Sequence, residues 1–421
     1  MRNDILTARE KKVYEVNELL SKNHVTVLIK ANIPGIDKNI AEAHFLVRLF
    51  SLYIQKSYQI KQTFSKESLD GPYDILIIHQ ISASKLKNDL IKIETTHPLG
   101  RFIDLDVFSD KPESLSRLDL NLPPRKCYIC GKDAHICSRT LKHSIGILLN
   151  HIDLEVKNYL RDQIELIITH SIFKELDLDY KFGLVSKNSN GSHVDMNYDI
   201  MKSAEIAILP FLVDLFILGY ESKELKNLLS QSRPVGIDAE SKMLKVTGGI
   251  NAYKGLIFIL GLTLLSLGYA LKHNQIFEDI FENIKEMTHS IYDDFKKKEQ
   301  TAGIQAFQKY RISGIRGEVT HGLISVKSAL QLLTDESDLT LRQVLKHLIL
   351  ISEDTVFLKR SKSLETYHHI KQLIQDTDIS DLDELMKMNQ LMIDKNISFG
   401  GSADLLIVTI FLKSIKMKFF S

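Results

Sequence analysis

The chain has 421 residues, 44% of them hydrophobic and 25% charged, which is long enough for two folded domains. Its 54 lysine and arginine residues nearly balance its 53 aspartate and glutamate residues, which argues against a protein that binds nucleic acid or an anionic membrane. Its three cysteines, all between 127 and 137, do not form the pattern of a secreted disulfide scaffold, so we expect a cytoplasmic protein.

The first part of the chain alternates between helical and strand patterns. Its N-terminus, MRNDILTAREKK, has no apolar stretch like that of a signal peptide. Helices are predicted at 4–22, near 40–55 and at 82–97, and strands at 25–35, 72–80 and 101–108. This alternation predicts an α/β or α+β domain.

From about residue 141 onwards the apolar spacing is almost exclusively helical. We therefore predict an N-terminal domain over 1–154 and a larger all-α domain over 155–421, joined by a helix because no Gly/Ser linker separates them. One uncharged stretch, GLIFILGLTLLSLGYAL at 255–271, is slightly short for a membrane span of ~20 residues. Its three glycines allow another helix to approach closely, which favours a buried core helix.

The stretch GRFIDLDVF, residues 100–108, carries two carboxylates in an apolar strand. Side chains alternate along a strand, so Asp104 and Asp106 should share a face, where they would repel each other without a compensating cation. Arg101 is the nearest candidate, and a metal ion is the other. Two aspartates spaced in this way often hold Mg²⁺ against a polyphosphate. The alternative is an edge strand with alternating solvated aspartates.

The following segment contains Cys127, Cys130, Cys137 and His143. Thiolate and imidazole ligands can complete a tetrahedral zinc site, although six residues between the second and third cysteines is a short spacing. The alternative is that these are small side chains packed in a compact loop.

Four polar, glycine-bearing loops interrupt the helical part, at 179–196, 236–258, 314–322 and 398–406. Glycines, an asparagine and a lysine before an apolar helix can form a phosphate cradle, although the P-loop spacing is absent. Each loop could equally be a capped, glycine-terminated helix end.

GRFIDLDVF, LPPRKCYIC and HICSRTLKH, in this order, resemble the holo-citrate lyase synthase family over about residues 1–154. The resemblance implies an α+β, nucleotidyltransferase-like domain, with Asp104 and Asp106 holding Mg²⁺ and with Arg101 and Arg125 contacting phosphates. It also implies that a serine of the acyl carrier (gamma) subunit of citrate lyase attacks the α-phosphate of a triphosphoribosyl group and releases pyrophosphate.

Residues 155–421 resemble the triphosphoribosyl-dephospho-CoA synthase family through GLVS…SNGSHVDM, TGGIN, RGE and GGSADLL. The implied reaction joins ATP to 3′-dephospho-CoA: the ribose 2′-hydroxyl attacks C1′ of the ATP ribose and adenine leaves. The chain departs from the family at Phe182, Tyr253 and Lys359, where proline, histidine and histidine are usual. A catalytic histidine at 253 or 359 is therefore not expected.

The resemblance and the loops together give two groups of candidate residues. The acid, base or metal candidates are Glu240, Glu318, Asp195 and His193. The phosphate and nucleotide candidates are Lys181, Asn190, Gly248, Gly249, Asn251, Lys254, Arg316, Gly401 and Ser402. The alternatives are the equivalent system of malonate decarboxylase and a non-catalytic zinc-loop adaptor. We expect neither a nucleic-acid partner nor membrane binding, and the oligomeric state stays open.

Overall fold

The structure is a computed structural model that describes residues 2–291 and 308–420. Two compact units are distinguished in the chain. The sheet unit comprises Met1–Leu160 with Lys418–Ser421, and the helical unit comprises Arg161–Met417. The division lies inside the helix Ile145–Leu176, which also contains the predicted boundary between residues 154 and 155. The chain therefore passes from one unit to the next within a helix, without a flexible linker.

The sheet unit contains four antiparallel strands in the order β2-β3-β1-β4. They are β1 (Val25–Ala31), β2 (Ile60–Lys66), β3 (Tyr73–Ile78) and β4 (Ile103–Phe108). The helices are α1 (Arg2–Glu18), α2 (Ala41–Ser57), α3 (Ala83–Thr96) and α4 (Ala134–Arg139), followed by α5 (Ile145–Leu176). The predicted strands correspond to β1, β3 and β4. The strand β2 was not predicted, because this edge strand is largely exposed and lacks a regular apolar pattern.

The two faces of the sheet are covered differently. On one face α2 packs on β1 and β3, and α3 packs on β4. On the other face Val16 of α1 contacts Leu28, Tyr73 and Ile75. Opposed residues of an antiparallel pair share a face, and the register places Asp106 opposite Leu28 and Asp104 opposite Lys30. The two aspartates therefore lie on the same side of the sheet as α1.

The helical unit consists mainly of α-helices. After α5 these are α6 (Tyr198–Glu221), α7 (Leu228–Val246), α8 (Lys254–Lys272), α9 (Asp279–Thr288), α10 (Gly314–Thr320), α11 (Ile324–Leu332), α12 (Asp338–Ile351), α13 (Thr355–Ser361), α14 (Leu364–Asp376), α15 (Leu382–Asp394) and α16 (Gly400–Ile415). The prediction of an α+β region followed by a larger helical region is confirmed.

The apolar helix α8 packs closely along α6. A Cβ on Gly268 would lie 2.2 Å from the carbonyl oxygen of Phe216, and one on Gly219 would lie 2.1 Å from that of Leu265. Only glycine permits this backbone approach. By length and composition α8 could cross a membrane, but 78% of its most apolar window is buried inside the protein. The helix is thus a core helix, as the glycine spacing predicted.

Candidate active sites

A face of paired charges lies on the edge strand of the sheet unit. Along β4, Ile103, Leu105 and Val107 are fully buried, whereas Asp104 and Asp106 between them are partly exposed. The prediction that the two aspartates share one face is therefore confirmed.

Each aspartate is paired with a cation from another part of the unit. Lys30 Nζ lies 2.8 Å from Asp106 Oδ2, and the Arg125 guanidinium donates to Asp104 Oδ1 and to buried Glu94. Arg101, the candidate cation nearest in sequence, donates instead to the backbone carbonyl of Lys126.

The two cations are held in their charged form by these carboxylates. Burial alone would lower the pKa of Lys30, but the charges of Asp106 and Asp104 outweigh burial and the pKa is raised. The pKa of Arg125 is raised for the same reason, mainly by Asp104 and then Glu94. The face is therefore close to charge balance at neutral pH.

Lys30 on this face was not predicted from the sequence, nor were Glu94 and Arg117, which are linked to it through Arg125. Glu94 is 1% exposed and also accepts from Arg117 at 2.9 Å. The one available signal was Lys30, a charged residue inside an otherwise apolar strand. Glu94 lies near the C-terminal end of α3, and the sequence around it contains no recognisable motif.

The four candidate zinc ligands converge in the same unit. One ligand atom from each of Cys127, Cys130, Cys137 and His143 lies within 4.8 Å of all the others. Cys130 Sγ is 3.4 Å from Cys137 Sγ and 3.4 Å from His143 Nε2. The backbone N–H of Lys132 and the His143 ring lower the pKa of Cys130 to about 6.

In the helical unit, three of the predicted residues line one cavity of about 360 Å³. Glu240 comes from α7, Lys254 begins α8, and Arg316 lies on α10. Lys254 Nζ donates to Glu240 Oε1. The remaining wall is mostly apolar, and it includes Leu215, Ile237, Phe258, Leu262 and Ile315. The cavity thus combines an apolar wall with one carboxylate, Glu240, and three cations, since Arg233 of α7 also lines it.

Other predicted residues are buried and serve the packing of helices. Glu318 is 8% exposed and accepts from the backbone N–H of Ser325, at 3.2 Å, and from its hydroxyl, at the start of α11. Ser402 is fully buried, and its backbone N–H donates to Asp354 Oδ2 at 2.9 Å. Gly401 is adjacent, and a Cβ there would lie 3.0 Å from the Asp354 carboxyl carbon.

Lys181 is also occupied within the fold. Its Nζ lies 2.6 Å from Glu175 Oε1, and both side chains are almost completely buried. Burial lowers the pKa of Lys181 and raises that of Glu175, while each opposes the shift of the other.

His193 is hydrogen-bonded through both ring nitrogens. Arg360 donates to Nδ1 at 3.1 Å, and a guanidinium can only donate, so the ring proton belongs on Nε2, which is 3.1 Å from Ser398 Oγ. Burial, and then the charge of Arg360, lower the His193 pKa to about 4. Asn190 and Asp195, in the same loop, are exposed.

Gly248 and Gly249 end α7. Both have positive φ angles, 67° and 94°, and the Gly249 N–H donates to the Leu244 carbonyl, which is a typical helix C-terminus. Asn251 Oδ1 accepts from the backbone N–H of Lys254 at 3.1 Å and so caps the start of α8. The glycine turn therefore delivers Lys254 to the edge of the cavity.

Two family assignments divide the chain. Residues 1–159 match the apo-citrate lyase phosphoribosyl-dephospho-CoA transferase family, and residues 161–419 match the ATP:dephospho-CoA triphosphoribosyl transferase family.

Individual relatives cover both parts or one. Protein CitXG of Haemophilus influenzae is 32% identical over 98% of this chain and 96% of its own length. Protein CitXG of Leuconostoc mesenteroides is 29% identical over 92% of this chain and 91% of its own length. The 2-(5''-triphosphoribosyl)-3'-dephosphocoenzyme-A synthase of Haemophilus ducreyi is 32% identical over 68% of this chain and 99% of its own length.

Proposed function

The chain belongs to the family that joins an apo-citrate lyase phosphoribosyl-dephospho-CoA transferase to an ATP:dephospho-CoA triphosphoribosyl transferase, and from this membership we propose which residues carry each reaction. It is a bifunctional transferase. One activity synthesises triphosphoribosyl-dephospho-CoA, and the other attaches this prosthetic group to the acyl carrier protein of citrate lyase.

We assign the synthase site to the cavity of the helical unit. The observation that carries this assignment is that Glu240, Lys254 and Arg316, which come from three different helices, line one cavity. The cavity size is within the range of small-molecule sites. Its apolar wall suits a purine ring, and its three cations, Arg233, Lys254 and Arg316, suit a triphosphate.

Glu240 is the proton acceptor in this proposal. The 2′-hydroxyl of dephospho-CoA gives its proton to the Glu240 carboxylate while its oxygen bonds to C1′ of the ATP ribose. The C1′–N9 bond breaks, and adenine leaves with the electron pair and takes up a proton. Glu240 is favoured over Glu318, because the side chain of Glu240 is 30% exposed at the cavity whereas Glu318 is buried and bonded to Ser325.

Adenine release by the full chain tests this assignment. With ATP, Mg²⁺ and dephospho-CoA, we expect Glu240→Gln to release adenine ~10²-fold more slowly, because the amide cannot accept the proton. The matched control is Glu282→Gln, which also removes a carboxylate 3.3 Å from a lysine, Lys327, but lies outside the cavity. A folded Glu240→Gln variant with the rate of the control would exclude Glu240 as the base.

We assign the transferase site to the charged face of the sheet unit. The donor set fits Mg²⁺, since two partly exposed carboxylates share a face and each uses one oxygen for its ion pair, so the other can face a metal. Bound Mg²⁺ would neutralise charge on the departing pyrophosphate. Arg125 and Arg101 are the proposed phosphate contacts.

We further propose that the attacking group is a serine hydroxyl of the citrate lyase acyl carrier and that the reaction takes place in the cytoplasm. The carrier preference is tested by measuring how fast the chain loads the apo carrier proteins of citrate lyase and of malonate decarboxylase in parallel assays. Faster loading of the malonate decarboxylase carrier would overturn it.

A further inference from the structure

The cysteine segment of the sheet unit has a backbone arrangement that suits a metal. The Cys127 N–H donates to the Lys132 carbonyl at 2.6 Å, and the Gly131 N–H returns to the Cys127 carbonyl at 2.9 Å. Gly131 has a φ of 68°, which the tight turn after Cys130 requires. These bonds form a short hairpin, residues 125–134, that presents the first two sulfurs on one side. We refer to it as the cysteine hairpin.

The other two ligand positions follow directly. The helix α4 carries Cys137, and the Lys142 N–H donates to the Cys137 carbonyl at 3.1 Å, which turns the chain so that His143 faces Cys130. Cys127 and Cys137 are 8% and 6% exposed. Among residues 2–291 and 308–420, this is the one group of three or more His, Cys, Asp or Glu side chains close enough to share an ion.

The distances match the edges of a zinc-centred tetrahedron. With Zn–S of about 2.3 Å and Zn–N of about 2.0 Å, neighbouring ligand atoms lie ~3.5–3.8 Å apart. The ligand atoms here lie within 4.8 Å of one another, and two of the pairs are at 3.4 Å. A disulfide, with sulfurs about 2.05 Å apart, would use two of the three thiols and leave the third and the imidazole unexplained.

The cysteine hairpin also carries the arginine of the transferase site. The Ala134 N–H donates to the carbonyl of Arg125 at 2.9 Å, so this residue is fixed at the base of the hairpin, two positions before Cys127. From there its guanidinium donates to Asp104 and Glu94. Tyr128 packs on Phe102, next to β4, with ring centroids 5.2 Å apart. An ion that fixes the hairpin would therefore also fix Arg125.

We propose that Cys127, Cys130, Cys137 and His143 bind one structural zinc ion, and that this ion positions Arg125 over the carboxylates of the transferase site. All four tetrahedral positions are filled by protein, so the ion has no open position for substrate and supports the site without entering the reaction. This inference rests on the proposed function of the charged face only for its effect on transfer. The metal site itself stands without it.

Metal content tests the site directly on the full chain. We expect elemental analysis of the protein purified under reducing conditions to give about one zinc per chain, and reconstitution with Co²⁺ to give the visible bands of a tetrahedral thiolate complex. His143→Cys should keep the ion, since four cysteines also bind zinc, whereas His143→Ala should lose most of it. The matched control is His135→Ala, an exposed histidine in α4 outside the cluster.

Activity then separates the positioning role from the fold. Removal of zinc with a zinc-selective chelator at constant Mg²⁺ should slow carrier loading ~10-fold or more while adenine release persists, and added zinc should restore loading. A zinc-free wild-type protein that binds no Co²⁺, or one whose cysteines are joined in a disulfide by mass spectrometry, would overturn the metal site. Stoichiometric zinc whose removal leaves loading unchanged would overturn the positioning role.

Discussion

The two units use charged residues in different ways. In the sheet unit, Asp104 and Asp106 are 26% and 29% exposed and are paired with cations at a surface that a substrate can reach. In the helical unit, Lys181 and Glu175 form a pair that is almost completely buried, and Asp354 is 2% exposed. Asp104 and Asp106 therefore mark a surface, whereas the buried charges of the helical unit mark places where helices meet.

The helical unit buries charge because its helix ends need acceptors. The first N–H groups of every helix lack partners inside the helix. Asp354 supplies acceptors to the N–H groups of Val356 and Phe357 in α13 and of Ser402 in α16. One buried carboxylate thus joins two helix starts. A polar, glycine-bearing loop in such a domain can therefore serve only to cap a helix. The cavity at Glu240 is identified instead because charged residues from different helices line it together.

The largest effect is expected from the loss of Asp106, and it should be confined to the reaction of the sheet unit. If the charged face holds Mg²⁺, Asp106→Asn should slow carrier loading by ~10²-fold or more, because the ion contributes several kcal/mol of transition-state stabilisation. Adenine release should be unchanged. Loading assays with preformed triphosphoribosyl-dephospho-CoA, titrated with Mg²⁺, measure the effect.

Two variants separate metal binding from the ion pair with Lys30. Asp89→Asn is the matched control, because Asp89 is 32% exposed and lies 3.4 Å from Lys92 elsewhere in the unit. The double variant Lys30→Gln/Asp106→Asn restores charge balance without a metal ligand. If the double variant loads the carrier normally, Asp106 serves only the ion pair and the metal assignment is wrong.

The buried pair of the helical unit should give the next largest effect. Lys181→Met leaves Glu175 buried without its cation, and we expect the free energy of unfolding to fall by about 3–5 kcal/mol. Glu175→Leu/Lys181→Met should recover most of this loss. Urea unfolding followed by circular dichroism measures both variants.

The surface pair Lys327–Glu282 provides the control. Lys327→Met removes a lysine 3.3 Å from a carboxylate at an exposed position and should cost at most about 1 kcal/mol. If Lys181→Met unfolds at the same urea concentration as wild type but releases adenine slowly, Lys181 acts on substrate, as the family resemblance implied, and the structural interpretation fails.

Local rules predicted much of this fold from the sequence. The alternation in β4 predicted the shared face of Asp104 and Asp106, and the glycines of α8 predicted a close helix neighbour. Both features depend on spacing within one element, which the sequence displays directly. The strand β2 could not be predicted, because an exposed edge strand has little apolar periodicity.

The partners of charged groups could not be predicted in this way. Arg101, the nearest cation in sequence, faces a backbone carbonyl, while Lys30 lies 76 positions from Asp106 and pairs with it. Ion pairs across a sheet depend on register, and register is set by pairing between distant segments. In the helical unit, the sequence alone also could not tell that Lys181 pairs with Glu175, six positions away, whereas Lys254 lines the cavity.

The smallest expected effect is a difference in pH dependence between the units. Burial raises the pKa of Glu318, with Ser325 opposing it, so the folded protein holds this proton more tightly than the unfolded chain. Wild type should therefore gain stability relative to Glu318→Gln as pH falls toward 4.5, the ordinary pKa of the group.

In the sheet unit, burial would raise the pKa of Asp70, but Arg9 and Lys12 outweigh it and the pKa is lowered. Wild type should there lose stability relative to Asp70→Asn as pH falls below 3.8.

The difference in the free energy of unfolding between a variant and wild type contains the contribution of the substituted carboxyl group and excludes those of the other titrating groups. This matters because His193, whose pKa burial lowers to about 4, destabilises the helical unit as pH falls and so opposes Glu318. Urea unfolding of wild type and both variants, from about pH 7.5 down to about pH 2.5, gives the two differences. Slopes of opposite sign would support the contrast between Glu318, a buried carboxylate without a cation, and Asp70, a carboxylate paired with Arg9 and Lys12. A Glu318 difference that stays flat would mean that the hydrogen bonds from Ser325 compensate the effect of burial completely.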